Sequence, residues 1–272
     1  MRVSKNLILN SIVMKLLIAL LLILFGMEPK LPHHSKDHVK IMIVYDNYRF
    51  TETTMADWGF ACIVIRGNDT LMFDTGAQKE ILFHNLQAMN LRLANVHKLV
   101  ISHHHGDHTG NIFPVLEANP LMQVFLPSSL DGNFRKMVEN YGARVVCDAK
   151  MRPVGSGMYL SGEMGFQTRE QALVIRTARG LVLLTGCGHP GVDRMVKKVA
   201  KLFGEPVYLV MGGFHLEDFT DHELDNIIGE LKKTGVKKVI PGHCTGSKAI
   251  ERFAAEFGND CLQGGTGRII EI

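Results

Sequence analysis

A cluster of histidine and aspartate side chains has the spacing of a metal site. The segment SHHHGDHTG (102–110) follows a short apolar run that is typical of a buried strand. Because residues two apart on an extended backbone point to the same side, His103 and His105 can bind one ion. Asp107 and His108, on the turn that follows, can then face a second ion. Imidazole and carboxylate are common ligands of transition metals, so the spacing predicts a dinuclear site.

The elements that must position this cluster are strands and helices mixed along the whole chain. Strand-like and helical segments alternate from residue 38 to the C-terminus, with no internal repeat and no low-complexity linker among them. This alternation predicts one α/β domain over residues 38–272. The clearest signals ahead of the cluster are three strands and one helix, at 39–46, 59–67, 70–76 and 79–91.

Residues 1–37 differ from the rest and predict a signal peptide or a membrane anchor followed by a linker. The chain is apolar from residue 7 to 25 apart from three residues, and Arg2 and Lys5 precede this stretch. That order is typical of a secretory signal or an N-terminal anchor. The segment has no clear small-residue cleavage site, so cleavage and anchoring both stay open, and an uncleaved segment would have the membrane as its partner. We expect an exported protein, periplasmic or otherwise extracytoplasmic.

The composition excludes several other classes of protein. With 46% hydrophobic and 21% charged residues in 272, the chain is an ordinary globular protein and not a disordered or collagen-like one. Its five cysteines are scattered without a CxxC pair, which excludes a disulfide scaffold. Residues 1–37 hold five basic and two acidic side chains, so the remainder is neutral and no nucleic acid is expected as a partner. We expect a small-molecule substrate, and the sequence is silent on oligomeric state.

The segment 102–110 and the apolar strand before it resemble the metallo-β-lactamase superfamily, whose HxHxDH signature follows an apolar strand. The resemblance runs through most of residues 39–272 and implies a four-layer αββα sandwich with the site at one edge of the two sheets. It also implies that Asp74 braces the metal loop rather than binding metal. Within the superfamily the chain looks like the 7,8-dihydropterin-6-methyl-4-(β-D-ribofuranosyl)aminobenzene-5′-phosphate synthases. The segments that carry this likeness are YDN (45–47), WGF (58–60), LMFDTG (71–76), SHHHGDHTG (102–110), GCGHPG (186–191), GGFHL (212–216) and PGHCTG (241–246).

The resemblance implies further ligands downstream of the cluster. His243 matches the superfamily's final ligand of the second ion. The usual third histidine of the first ion is missing, because no histidine lies between His108 and His189, and His189 is predicted to replace it. Cys187 stands where the superfamily has a bridging aspartate, and it could be a thiolate ligand, a nearby non-ligand or a spare thiol. Glu163 is a weaker alternative to His189.

Other residues near the predicted site have roles that the sequence leaves open. His215, after another strand, could orient substrate or donate a proton, or it could support a ligand by packing. Trp58 and Asn47 are expected at the mouth of the site as substrate contacts, with a buried structural position as the alternative for Trp58. His104 and Cys244 are expected to point away from the ions.

This ligand set predicts a metal-dependent hydrolase of a small ester or phosphoester. Two zinc ions are expected, with manganese or iron as alternatives, and a metal lowers the pKa of its bound water enough to make hydroxide at neutral pH. Asp107 would hold that hydroxide for attack. One alternative is a transferase like the dihydropterin synthases, and another is a non-catalytic metal- or ligand-binding module outside the cytoplasm. An open ligand position favours an enzyme, whereas a closed site that includes Cys187 favours the module.

Overall fold

The structure, a computed structural model, describes residues 38–272, so the predicted leader at 1–37 lies outside the described residues. Two β-sheets form the centre of the described part, and helices cover the outer face of each. None of the helices in residues 38–272 is both long enough and apolar enough to cross a membrane.

The first sheet combines antiparallel and parallel pairing. Its strands are β1 (Val39–Tyr45), β2 (Ala61–Arg66), β3 (Asp69–Phe73), β4 (Lys98–Val100), β5 (Gln123–Leu126), β6 (Arg144–Cys147) and β13 (Ile269–Glu271). Their order across the sheet is β13-β1-β2-β3-β4-β5-β6. The pairs from β13 to β3 are antiparallel, and the pairs from β3 to β6 are parallel.

The second sheet has six strands and the same mixture. They are β7 (Arg152–Gly155), β8 (Met158–Leu160), β9 (Leu173–Thr177), β10 (Gly180–Thr185), β11 (Val207–Gly213) and β12 (Lys238–Gly242). Their order is β12-β11-β10-β9-β8-β7, with β10, β11 and β12 parallel and the other pairs antiparallel.

Alternation along each strand divides its side chains between two apolar layers. In β1, Ile41 and Ile43 face the core between the sheets, whereas Met42 and Val44 face the helices. Because both faces are covered, the strand is apolar from Ile41 onward rather than alternately polar, and Lys40 near its start is only half-buried. Residues of both sheets pack together in the core between them, with Phe73 among those from the first sheet.

The helices complete four layers. Helices α1 (Lys79–Ala88), α2 (Gly106–Thr109), α3 (Ile112–Ala118) and α4 (Gly132–Asn140) follow strands of the first sheet, and α5 (Val192–Phe203), α6 (Asp221–Lys233) and α7 (Ser247–Phe257) follow strands of the second. Leu82 and Val115 pack on the first sheet, and Val196 and Phe253 on the second. The expected αββα sandwich is confirmed.

One edge of the sandwich collects the ends of the parallel strands. The chain leaves β3 at Asp74, and it leaves β4 just before His103. In the second sheet β10, β11 and β12 run into the loops that carry Cys187, His215 and His243. Because the carboxyl ends of parallel strands lie at the same edge of a sheet, residues far apart in sequence meet there.

Candidate metal centre

Three histidines from two loops bring their ring nitrogens together. His103 and His105 follow β4, and His189 lies in the loop between β10 and α5. Nε2 of His103 is 3.1 Å from Nδ1 of His105, and that Nδ1 is 3.3 Å from Nε2 of His189. One ligand atom from each of the three side chains lies within 4.8 Å of the other two. The structure thus brings together the three histidines that the sequence assigned to the first ion.

Asp107, His108, Cys187 and His243 form a second group of the same kind. Nε2 of His108 is 3.1 Å from the sulfur of Cys187 and 3.2 Å from Nε2 of His243. The Cys187 sulfur is 3.3 Å from the same His243 nitrogen. Oδ2 of Asp107 is 3.2 Å from Nε2 of His243 and 3.5 Å from Nε2 of His108. All residues predicted for the second ion therefore converge, with Cys187 among them.

The spacing of these atoms is compatible with a bound cation as well as with hydrogen bonds among the side chains. Two facing imidazole nitrogens share at most one proton, whereas a cation accepts a lone pair from every ligand. Ligand atoms about 2.0–2.3 Å from a tetrahedral zinc ion lie about 3.3–3.7 Å apart, and the distances in the second group are close to these. Three nitrogens in one group, and two nitrogens, a sulfur and a carboxylate oxygen in the other, are donor sets that zinc accepts.

Asp74 lies behind both groups and belongs to neither, which is the position that the sequence predicted. Its Oδ2 is 2.7 Å from Nδ1 of His108 and accepts a 2.7 Å hydrogen bond from the hydroxyl of Ser102. The Ser102 oxygen lies 2.8 Å from Nδ1 of His103 and, because its own proton is donated to Asp74, it accepts a hydrogen bond from Nδ1–H of His103. These contacts place the protons of both rings on Nδ1, which leaves Nε2 free to bind metal.

His243 is held by residues near the end of β1. Oδ1 of Asn47 lies 2.8 Å from Nδ1 of His243 and also accepts the backbone N–H of Gly59, at 3.0 Å. Oδ1 of Asp46 accepts the backbone N–H of His243. The oxygen of Asn47 therefore orients a ligand, where the sequence predicted a substrate contact. Trp58 is 51% exposed with its ring edge-on to His243, so the alternative of a buried structural tryptophan is wrong.

The backbone is strained where the chain leaves the strands toward this site. Among residues 38–272 four non-glycine residues have positive φ, and three of them are Asp74 at 57°, His215 at 53° and His243 at 45°. Such conformations cost about 1–3 kcal/mol each and persist where the surroundings hold them in place. The strain is concentrated at the ligand cluster and the residues that support it.

Glu170 is an important residue that sequence reasoning missed. It is fully buried, and its carboxylate accepts three backbone hydrogen bonds, from Gly186 at 2.8 Å, Gly188 at 3.0 Å and His189 at 2.9 Å. Burial raises the pKa of Glu170 to about 7, although the backbone N–H donors favour the ionised form. The sequence held no signal for it, because a glutamate in a polar loop is usually a surface residue.

Burial keeps the histidines of the first group neutral, which is the form that binds metal. It lowers the pKa of His103 well below the ordinary range and that of His189 to about 4. It also lowers the pKa of His105, where the nearby Asp107 opposes the shift.

In the second group, by contrast, the pKa of a histidine is raised. Burial is the largest single influence on the pKa of His243 and would lower it, but the contacts with Asp107 and Cys244 together outweigh burial and raise that pKa to about 10. Burial would raise the pKa of Asp107, and the contacts with His243 and His108 instead hold it well below the usual range. In the absence of metal, a proton therefore takes the place of a cation between His243 and Asp107.

The two cysteines near this group are neighbours. Cys244 does not point away from the site as expected: its sulfur lies 3.5 Å from the carbonyl oxygen of Cys187 and within 4.8 Å of the Cys187 sulfur and of a His215 nitrogen. Residues 243–245 form a tight turn rather than extended backbone, so adjacent side chains need not face opposite ways. Contact with Cys244 and burial raise the pKa of Cys187 well above its ordinary value, so its thiolate would form when metal binds.

Two residues that the sequence weighed lie outside both groups. His104 packs its ring against Phe134 at 5.0 Å, in agreement with the expectation that it points away. Glu163 accepts a 2.9 Å hydrogen bond from the backbone of Ser129 and lies 3.8 Å from Arg169. The alternative that Glu163 replaces the missing third histidine therefore has no support in the geometry.

A cavity of about 700 Å³ opens beside the first group. His189 and His215 line one side of it, and their rings are 4.3 Å apart. The volume is within the range of small-molecule sites. His215 thus lines the cavity next to His189, a position compatible with the substrate contact that was one of the two roles left open for it.

Comparison with known proteins agrees with this geometry. The profile described as "Metallo-beta-lactamase superfamily" matches residues 59–124, which include the HxHxDH segment. The chain is 28% identical over 286 residues to a Methanocaldococcus jannaschii protein named 7,8-dihydropterin-6-methyl-4-(beta-D-ribofuranosyl)-aminobenzene-5'-phosphate synthase, covering 87% of this chain and 97% of that protein. An uncharacterised protein of the same organism is 25% identical over 85% of this chain and 100% of its own length.

Solved structures show the same fold. A protein described as a metal-dependent hydrolase of the β-lactamase superfamily superposes with a TM-score of 0.70 at 26% identity, over 86% of this chain and 99% of its own. A metallo-β-lactamase fold protein from Bacillus subtilis superposes with a TM-score of 0.66 at 14% identity, over 87% and 100%. The chain therefore contains a metallo-β-lactamase superfamily domain and has the metallo-β-lactamase fold.

Proposed function

We propose that this protein is a metal-dependent hydrolase that binds about two zinc ions and acts on a small ester or phosphoester. One observation supports the proposal: two groups of ligand atoms, one with three nitrogens and one with mixed donors, are formed by neighbouring loops, and His189 of the first group lines an open cavity. A third group of Cys187, His215 and Cys244 shares Cys187 with the second. A dinuclear site beside space for a small molecule is typical of metal-assisted hydrolysis.

The residues that would hold the first ion are His103, His105 and His189, and those for the second are Asp107, His108, Cys187 and His243. When bound, such ions polarise a substrate oxygen and lower the pKa of water. The sulfur of Cys187 makes the second group soft, which favours zinc over manganese.

Two side chains have positions suited to orienting an attacking water and to donating a proton. The carboxylate of Asp107 keeps 16% of its surface exposed while its neighbours His108 and His243 are buried, so it can accept a hydrogen bond from an attacking water and orient it. His215 lines the cavity next to His189 and can donate a proton to the departing oxygen of the substrate.

A second candidate function is a transferase related to dihydropterin synthesis. The relative from Methanocaldococcus jannaschii carries that name and matches over 97% of its own length. A third hypothesis is the non-catalytic module. The second group, with four ligands including Cys187, is compatible with it, whereas the first group has three ligands, which leaves a position open for water and favours the enzyme.

We also propose that residues 1–37 direct export or anchor the protein, on the basis of their apolar stretch and flanking Arg2 and Lys5. In that location the proposed partner would be a small-molecule substrate outside the cytoplasm.

The test is an activity screen of the zinc-loaded full chain on a phosphodiester, bis(4-nitrophenyl) phosphate, and an ester, 4-nitrophenyl acetate. His105→Ala should lower turnover by at least about 100-fold because it removes a ligand, whereas the adjacent His104→Ala should not. Equal turnover in both variants, or no turnover of any ester by a fully metal-loaded protein, would argue for the transferase or the module instead.

A further inference from the structure

The cavity beside the metal centre has a cationic wall that the proposed chemistry does not use. Arg194 and Lys198 lie one helical turn apart on α5 and both line the cavity. Its lining contains no aspartate or glutamate. The wall therefore carries positive charge without a matching carboxylate of the protein.

Other cations of the same helix differ from these two. Lys197 faces away from the cavity and forms ion pairs with Glu230 at 2.6 Å and with Asp193 at 3.6 Å. Arg194, in contrast, has no carboxylate within ion-pair distance among residues 38–272, and Lys198 donates only to the backbone carbonyl of Glu163, at 3.1 Å. The side chains toward the cavity are thus the ones left without acidic partners.

The guanidinium of Arg194 is folded over the loop that carries the metal ligands. A Cβ atom at Gly191 would lie 2.6 Å from Nε and 2.8 Å from Nη2 of Arg194. Only glycine at 191, where φ is 93°, leaves room for the guanidinium in that place. The Arg194 guanidinium therefore lies against the loop that carries His189.

Another part of the cavity wall is a hairpin that is bonded to the same loop. Met164 and Glu170 pair at the base of this hairpin, and the Glu170 carboxylate accepts the backbone N–H of His189. At its tip Phe166 lines the cavity with 91% of its surface exposed. An aromatic side chain this exposed at the rim of a cavity is suited to packing on a flat ligand.

We propose that the substrate carries an oxyanion, a phosphate or carboxylate group, that binds Arg194 and Lys198 while its reacting bond lies at the metal centre. Arginine and lysine both donate charge-assisted hydrogen bonds to such groups, and arginine can do so with two parallel bonds. The middle of the substrate packs against Phe166. This inference deepens the proposed function and rests on it for the position of the reacting bond.

The experiment measures binding of three compounds to the metal-loaded full chain by calorimetry: 4-nitrobenzylphosphonate, 4-nitrobenzoate and the neutral 4-nitrobenzyl alcohol. The Arg194→Gln and Lys198→Gln double variant should bind the anions at least about tenfold more weakly and the alcohol unchanged. The anion whose affinity falls more in the double variant identifies phosphate or carboxylate as the preferred group. Lys201→Gln removes one positive charge from an exposed site further along α5, outside the cavity lining, and should change nothing.

Unchanged anion affinity in the double variant, or an equal loss in Lys201→Gln, would overturn the inference. Metal content of each variant is measured alongside and should stay at the wild-type value, because neither Arg194 nor Lys198 is in a ligand group. If the protein binds no metal but the double variant still loses anion affinity, the anion site stands and the hydrolase proposal fails.

Discussion

Cys187 and His189 lie two residues apart in one loop, yet they belong to different groups of metal ligands. The sulfur of Cys187 contacts Nε2 of His108 and of His243, whereas Nε2 of His189 contacts His105. The backbone on both sides of Cys187 is held by the carboxylate of Glu170. A single loop therefore supplies one ligand to each group.

Replacing Glu170 with Gln is expected to weaken metal binding in both groups. Glutamine offers one acceptor oxygen where the carboxylate serves three backbone N–H donors, so at least one buried donor loses its partner. We expect affinity for zinc to fall by about 10–100-fold and the free energy of unfolding to fall by about 1–3 kcal/mol. Competition with a chromophoric chelator and chemical denaturation give the two numbers. Glu163→Gln, in the same segment but outside the groups, is the control, and an equal effect there would contradict the role of Glu170.

The two neighbouring cysteines should differ in their effect on the second ion. Cys187→Ser should remove one metal ion per chain and the thiolate-to-metal charge-transfer band of the cobalt-substituted protein, because the Cys187 sulfur faces His108 and His243. Cys244→Ser should keep both, since Cys244 belongs to neither of the two proposed ligand groups. A charge-transfer band that survives in Cys187→Ser and disappears in Cys244→Ser would reverse this assignment.

Zinc binding to the two groups should release different numbers of protons. At pH 7 burial already keeps His103 and His189 neutral, the latter with a pKa of about 4, so the first group has few protons to lose. His243 has a pKa of about 10 and the pKa of Cys187 is raised, so both are protonated without metal and about two protons leave when zinc binds there.

The sign of the pH dependence follows from these shifts. Affinity of the second group should rise with pH through about 10, the pKa of His243, and continue to rise above it because the pKa of Cys187 is raised well above its ordinary value. Affinity of the first should fall only as pH drops toward about 4. Calorimetry in buffers of different ionisation enthalpy counts the protons in the wild type and in His243→Ala. Equal proton release in the two proteins would show that His243 is not a protonated ligand of the second ion.

The apolar segment within residues 1–37 leads to a prediction about the cellular location of the protein. In a bacterial host the full chain should fractionate with the periplasm or the membrane, and a variant without residues 2–37 should stay in the cytoplasm, because the apolar stretch and its basic flank form the export signal. Fractionation with a cytoplasmic marker enzyme measures this. The same distribution for both proteins would exclude an export role.

The sequence predicted the ligands well because they follow strands in short, dense segments. His103, His105, Asp107 and His108 lie within six consecutive positions. The αββα layers follow from apolar strands that are covered on both faces. The alternation rule failed at Cys244, because the tight turn after β12 is not extended backbone.

Long-range support was not predictable from local pattern. Glu170 binds amides 16 to 19 residues further along the chain, and nothing in its own segment indicates burial. The hairpin of β7 and β8 was also missed, since Pro153 and two glycines obscure the strand pattern there. The oxygen of Asn47 turned out to support His243, which depends on how β1 approaches β12 and not on neighbours in sequence.

The central claim is a dinuclear metal centre, and the metal content of the purified full chain tests it most directly. Elemental analysis should find about two zinc ions per chain in the wild type and about one in each of His105→Ala and His108→Ala, because each variant removes a ligand from a different group. His104→Ala should retain both ions. A wild-type protein with no tightly bound metal, or a His105→Ala variant that keeps both ions, would contradict the claim.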